Sequence, residues 1–130
     1  MLFFATVALA AAGISFAAWA DGAAAEKMAE EIQVPDLSEA AQSGEIVFEQ
    51  NCAGCHGTNA SGTDSGPRLI HQTYEPSHHG DEAIVRAVTQ GALQHHWPFG
   101  DMPALPHVSP EQIDQVIHYI RELQRANGIM

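Results

Sequence analysis

Five residues, Cys52-Ala53-Gly54-Cys55-His56, hold both cysteines of a 130-residue chain and one of its eight histidines. Two thiols at this spacing, with an imidazole beside the second, suit three chemistries. They can cycle between dithiol and disulfide, supply half of a zinc site, or form thioethers to a haem. A thioredoxin-like redox pair needs its cysteines at the start of a helix that follows a strand, where the helix dipole lowers the first thiol's pKa. Here the pair follows a helix-forming run and precedes a glycine-rich stretch. A zinc site needs two further ligands, and no finger-type pair of histidines follows at a suitable distance. Haem attachment fits best. Thiols one helical turn apart reach the two vinyl groups on one porphyrin edge, and the adjacent imidazole lies beneath the iron as its proximal ligand.

A ligand for the opposite side of that iron is Met102, in Gly100-Asp101-Met102-Pro103. Of the four methionines, Met1 lies in the leader, Met28 in a tether and Met130 at the C-terminal end, which leaves Met102 alone inside the expected domain. The same side chain can instead be a gap-filling core residue, and His95 or His96 is the rival ligand. Trp97 and Phe99 stand close by and are expected to wall a haem pocket. With His56 and Met102 both on iron, no coordination position is left for a substrate, which points away from an enzyme. Methionine sulfur favours ferrous iron and an apolar pocket disfavours the added charge of the ferric state, so the potential should be comparatively high.

The elements that must position these groups follow from pattern and punctuation. Residues 1–20, MLFFATVALAAAGISFAAWA, carry no charged side chain and end in Ala18-Trp19-Ala20, as a signal peptide does before its cleavage site. The apolar run from Leu2 to Ala20 is also long enough to be an N-terminal membrane anchor. No Lys or Arg precedes it, which is consistent with a true start upstream of Met1. Either way the remainder is expected to work in the periplasm, soluble or held at the inner membrane. Residues 21–36 are rich in Ala and Glu and read as an acidic tether. Residues 37–130 form the domain.

Within that domain Leu37, Ala40, Ala41, Gly44, Val47 and Phe48 recur at helical spacing and predict a helix from Leu37 to Gln50 that leads into Cys52. Gly57 to Gly80 reads as loop. Asp81 is placed to cap a helix through Gly91, with Ile84, Val85 and Val88 inward. A second loop, broken by Pro98, Gly100, Pro103 and Pro106, follows. The last helix has Ser109 as cap, Pro110 at its first position, Gln112 closing a capping box and Gly128 as stop. Its apolar stripe is Ile113, Val116, Ile117, Ile120 and Leu123. The expectation is a small all-α domain of three to four helices whose long loops wrap one covalent haem, because the apolar content is too modest to order those loops unaided.

Residues 37–128 resemble a bacterial class I c-type cytochrome, the small helical electron carriers with one haem held between a histidine-bearing motif and a methionine-bearing loop. Gly44 and Phe48 match the glycine and aromatic that in the family pack against the last helix, where Val116 and Tyr119 fall in the corresponding places. Gly66-Pro67-Arg68-Leu69 resembles the segment whose proline carbonyl accepts the proximal histidine's N–H, so Pro67 is implied to orient His56. Met102-Pro103 has the form common in the bacterial branch. The resemblance implies haem c joined through Cys52 and Cys55, ligated by His56 and Met102, and redox proteins of a respiratory or photosynthetic chain as partners.

The chain departs from that pattern in two respects. It has 5 Lys and Arg against 16 Asp and Glu, a net charge of -11, and its one lysine, Lys27, lies in the tether. The lysine ring around the haem edge of mitochondrial members therefore has no counterpart. This charge excludes nucleic acid as a partner and favours one with a basic face. The second departure is the set His71, His78, His79, His95, His96, His107 and His118, which the resemblance does not explain. Solvated or backbone-bonded rings account for most of them, and a copper or zinc site or a propionate contact competes for the two His-His pairs. Arg68, with its permanent charge, is the better propionate candidate, and Pro98, Phe99, Ala104, Leu105 and Pro106 form an apolar lip suited to docking. Three functional readings stand: a free or tethered electron carrier, a cytochrome subunit of a larger membrane oxidoreductase, and a haem sensor or peroxidase with labile Met102.

Overall fold

The structure is a computed structural model that describes residues 31–130. Residues 1–20, expected as a signal peptide or anchor, and the expected tether as far as residue 30 lie outside the described residues. Among the described residues four helices follow one another: α1 (Glu39–Asn51), α2 (Ala53–His56), α3 (Asp81–Gln90) and α4 (Pro110–Ala126), with single 3-10 turns at Thr58–Ala60 and Gln72–Tyr74. Among the described residues there is no strand. Isolated bridges pair Thr63 with Gly66 and Ala92 with Met102.

Helix α4 is the scaffold, and its sequence explains why. The Ser109 hydroxyl accepts the Gln112 N–H at 3.2 Å while the Gln112 side chain accepts the Ser109 N–H at 2.9 Å, which satisfies two donors that the helix start would leave free. Pro110 follows at the first position, and Gly128 leaves the helix with a left-handed φ of 73°. The stripe Ile113, Val116, Ile117, Ile120 and Leu123 is buried as the periodicity requires. At about 1.5–3 kcal/mol for each large aliphatic side chain removed from water, this one face outweighs any cap.

Helix α1 lies across that face. Ser38 caps it by accepting the Ala41 N–H at 3.2 Å, so the helix starts at Glu39 rather than Leu37. It buries Ala41, Gly44, Val47 and Phe48. The Phe48 and Tyr119 rings meet at a 5.5 Å centroid distance and 57° tilt, a packing geometry worth about 0.5–1.5 kcal/mol beyond the buried area. The compact unit itself begins at Ile32 rather than Leu37. Ile32 packs on the core, and the Gln33 backbone N–H and C=O both bond the Asn127 side chain at 2.9 Å.

One cap differs from its sequence expectation. Gly80, not Asp81, is the N-cap of α3, and it supplies no side-chain bond. Asp81 occupies the first turn instead, and its carboxylate accepts the Arg121 Nε at 2.9 Å. Arg121 is only 7% exposed although it stands on the inward side of α4. Its guanidinium also donates to the Tyr74 carbonyl at 3.0 Å, the His79 carbonyl at 2.5 Å and the Gln124 side chain at 2.6 Å. Gln124 in turn donates to the Leu69 and Tyr74 carbonyls at 3.1 and 2.9 Å. These two polar residues tie that segment to α4 by pairing the carbonyls of Leu69, Tyr74 and His79.

Candidate functional site

The Cys-x-x-Cys-His segment is positioned by the end of α1. Cys52 closes that helix, its N–H donating to the Phe48 carbonyl at 2.7 Å, and its own carbonyl accepts the His56 N–H at 2.9 Å to start the single turn of α2. Cys52 is half-buried and Cys55 exposed one turn on, both as free thiols. Burial, and then the neighbouring Cys55, push the Cys52 thiol up to about 11. This is opposite to the depressed pKa that a thioredoxin-like nucleophile requires. Among the described residues, the His, Cys, Asp and Glu side chains placed to converge on a metal ion are His78, His79 and His96, a group that includes neither cysteine. The redox-pair and Cys/His zinc readings therefore both lack structural support.

His56 points its ring into a cleft of about 570 Å³ lined by Cys52, Pro67, Leu69, Val88, Met102 and Ile120, among others. That volume is ordinary for a cofactor site, about 300–1,000 Å³. The His56 Nδ1–H donates to the Pro67 carbonyl at 2.9 Å, which fixes the tautomer and leaves Nε2 as the lone-pair nitrogen. Burial holds the His56 imidazole below the ordinary histidine range, partly opposed by that carbonyl, so the ring is offered neutral. The Pro67 carbonyl is itself held in place. Gly66 is buried against Cys55 so closely that a Cβ would come within 2.8 Å of the Cys55 carbonyl oxygen, and Thr63 Oγ1 donates to the same carbonyl at 2.6 Å.

Met102 lines the same cleft from the loop after α3. It pairs with Ala92 by reciprocal backbone bonds, 2.8 Å for its own N–H and 3.0 Å for its carbonyl, and packs partly buried on the core. Gly91, with φ 80°, makes this return possible, because a Cβ there would approach the Met102 carbonyl to 2.6 Å. His95 and His96 also border the cleft, but as exposed residues on its rim. Trp97 lines it too. The indole N–H is buried without a well-formed hydrogen bond. The Tyr74 hydroxyl lies beside it, close enough to offset part of the rise that burial imposes on that phenol. A buried donor at the wall of the cleft, with the Tyr74 hydroxyl as its neighbour, would suit a ligand carboxylate such as haem carries. Arg68 is half-buried between Pro67 and Leu69 and is not among the residues that line the cleft, whereas Trp97, expected as a wall of the pocket, is.

The seven remaining histidines separate into two sets. His71 accepts the Thr73 N–H at 3.1 Å and meets Trp97 edge-on, His107 bonds Asn51 at 2.9 Å, and His118 lies 3.8 Å from Asp114. His78, His79, His95 and His96 gather instead into one cluster of rings. Of the apolar lip, Pro98, Phe99, Ala104 and Pro106 are exposed and Leu105 packs on the core. Leu93, which periodicity gave no reason to select, is 78% exposed beside that surface. Arg121 and Gln124 were also not evident in the sequence; a charged residue one position after Ile120 in the apolar stripe was the available signal.

Residues 41–124 match the sequence profile of the family described as Cytochrome c, and the chain belongs to that family. The fold is accordingly that of a cytochrome c domain, and Cys52 and Cys55 fit the attachment of one covalent haem c. The chain is 32% identical to the Cbb3-type cytochrome c oxidase subunit FixP of Sinorhizobium medicae, over 92% of this chain and 43% of that protein. It is 29% identical to cytochrome c oxidase subunit 2 of Alkalihalophilus pseudofirmus, over 82% of this chain and 31% of that protein. It thus spans less than half the length of either relative. No solved structure matches it. No helix among the described residues is long and apolar enough to cross a membrane.

Proposed function

We propose that this protein passes single electrons between redox proteins outside the cytoplasm, with His56 and Met102 as the two protein ligands of its haem iron. The observation that carries this reading is that a tautomer-fixed His56 and a core-packed Met102 line one and the same cleft. Bound haem supplies an iron that alternates between ferrous and ferric states. The chain supplies the rest. His56 is held by Pro67, Met102 by its bridge to Ala92, and Phe48, Leu69 and Val88 keep water from the cleft interior. The buried Trp97 N–H would be available to donate to a haem carboxylate. With His56 and Met102 both holding the iron, no position would be left for a substrate, so the domain would transfer electrons rather than catalyse a reaction. A rigid ligand pair also keeps rearrangement between redox states small.

The likeness to two oxidase subunits favours a second arrangement, in which the domain delivers electrons within a larger membrane oxidoreductase through residues 2–20 as anchor and 21–36 as tether. A respiratory chain is then its setting. The first test is the absorption spectrum of the protein matured with haem, in both oxidation states. A weak red band of methionine sulfur on ferric iron, with a ferrous c-type spectrum that carbon monoxide leaves unchanged, is the expected result. Covalent haem that lacks this band or binds carbon monoxide would move a sensor or peroxidase with labile Met102 to the front. Stoichiometric co-purification with membrane redox proteins separates a subunit from a free carrier.

A further inference from the structure

Two adjacent histidine pairs, far apart in the cleft-forming loops, converge at the rim of the cleft. His78 and His79 end the segment before α3, and His95 and His96 lie in the loop after it. Ring centroids are 4.7 Å apart for His78 and His79, 5.3 Å for His78 and His96, 5.1 Å for His79 and His96, and 4.3 Å for His95 and His96. One ring nitrogen from each of His78, His79 and His96 lies within 4.8 Å of the others. From these positions we propose that His78, His79 and His96 form a binding site for a divalent transition-metal ion of the zinc or copper type, with His95 or water in the fourth position.

The chemistry selects that class of ion. The donors are all imidazoles, which suit zinc and copper, whereas magnesium and calcium require oxygen ligands. Tetrahedral ligands about 2.0–2.1 Å from zinc lie roughly 3.3 Å from one another, so the rings must close by somewhat more than an ångström. His78 and His96 are exposed and have room to swing inward.

Second, two of the four rings, His79 and His95, are oriented as metal ligands are. His79 Nδ1–H donates to the Thr73 carbonyl at 2.6 Å and His95 Nδ1–H to the Leu93 carbonyl at 2.7 Å, which leaves Nε2 of each as the free donor atom. A backbone carbonyl on the distal nitrogen is the usual second contact of a ligating histidine. The backbone is fixed as well: Arg121 holds the His79 carbonyl, and Asp101 accepts the Gln94 N–H at 2.8 Å beside His95. The spare histidines with other structural partners, His71, His107 and His118, take no part.

The test uses the full, haem-loaded protein, freed of metals by chelator and titrated calorimetrically with zinc. One zinc per chain is expected. Replacing both His78→Ala and His96→Ala should weaken it about 100-fold or more, because even partners that merely orient a ligand are worth about 10–100-fold. His107→Ala with His118→Ala should leave zinc binding intact. Copper(II) bound to the same protein should show nitrogen hyperfine splitting by electron paramagnetic resonance. Absence of stoichiometric uptake, or equal uptake by the His78/His96 double variant, overturns the proposal. The visible spectrum separates this from the iron-ligand assignment. If His96→Ala alone abolishes the native haem spectrum, His96 is an iron ligand and both the metal site and the Met102 assignment fall.

Discussion

Gly44 of α1 lies directly against the backbone carbonyl of Gln115 in α4, so closely that any Cβ at residue 44 would overlap it. The two helices that frame the cleft meet at this contact, with the Phe48 ring tilted against Tyr119 one turn along. Gly44→Ala would gain about 0.5–1 kcal/mol of helix propensity. It would also drive a methyl group into backbone that no rotamer change can move, and overpacking costs about 1–3 kcal/mol or more. The net expectation is destabilisation. Guanidinium unfolding of the haem-loaded variant should show a lower midpoint, and a midpoint equal to or above wild type would contradict this account of the contact.

That contact was readable in the sequence only through resemblance, whereas other features were written locally. The spacing of Cys52, Cys55 and His56 encodes bond geometry within one turn, and Ser109, Pro110 and Gln112 encode a helix start within four residues. Non-local competition decided the rest. Asp81 has the composition of a cap, but Arg121, forty positions later, takes its carboxylate and leaves Gly80 at the cap. The Gly57–Gly80 segment reads as loop because its order comes from Arg121 and Gln124, on a different element. Likewise, two His-His pairs on separate loops carry no signal that they meet.

Replacing Met102 tests the iron assignment. Met102→Ala should lower the reduction potential, since the ferrous-favouring thioether is lost, and should admit carbon monoxide to the ferrous protein. His95→Ala, at the exposed rim, should change neither property. Spectroelectrochemical titration with and without carbon monoxide measures both. An unchanged potential in the Met102 variant would remove this residue from the iron.

Arg121 should matter more to stability than its neighbours in α4 that face solvent. Arg121→Ala strands the His79 carbonyl and the Gln124 amide oxygen in a buried setting, while the Tyr74 carbonyl keeps only its bond from Gln124 Nε2. An unsatisfied buried group costs about 1–3 kcal/mol, moderated where water can enter. The ion pair itself contributes little, because Asp81 is largely exposed. Thus Asp81→Asn should cost well under half of what Arg121→Ala does. Faster amide exchange at His78 and His79 in the arginine variant would show that the loss is felt in the loop. Equal stability of the two variants would place the energy in the ion pair instead.

A pH dependence follows from the tie between the start of α1 and the middle of α4. Glu122 accepts the Ser38 N–H at 3.0 Å and the Ser38 hydroxyl at 2.7 Å. Burial alone would raise its carboxyl, but the Ser38 bonds, then Arg125 and His118, outweigh that and hold it below the usual carboxylate range. A depressed folded pKa means that the unfolded chain binds the proton more readily. The stabilisation is therefore complete above the unfolded glutamate value, about 4.3, and is lost as pH falls through the lower folded value. Glu122→Gln should be less stable than wild type at neutral pH, by under about 1 kcal/mol because the site is exposed. The difference should close in acid. Denaturant midpoints of the two proteins compared from pH 7 down to pH 3 measure this, and a gap that widens as the pH falls would reverse the sign and remove Glu122 from the tie.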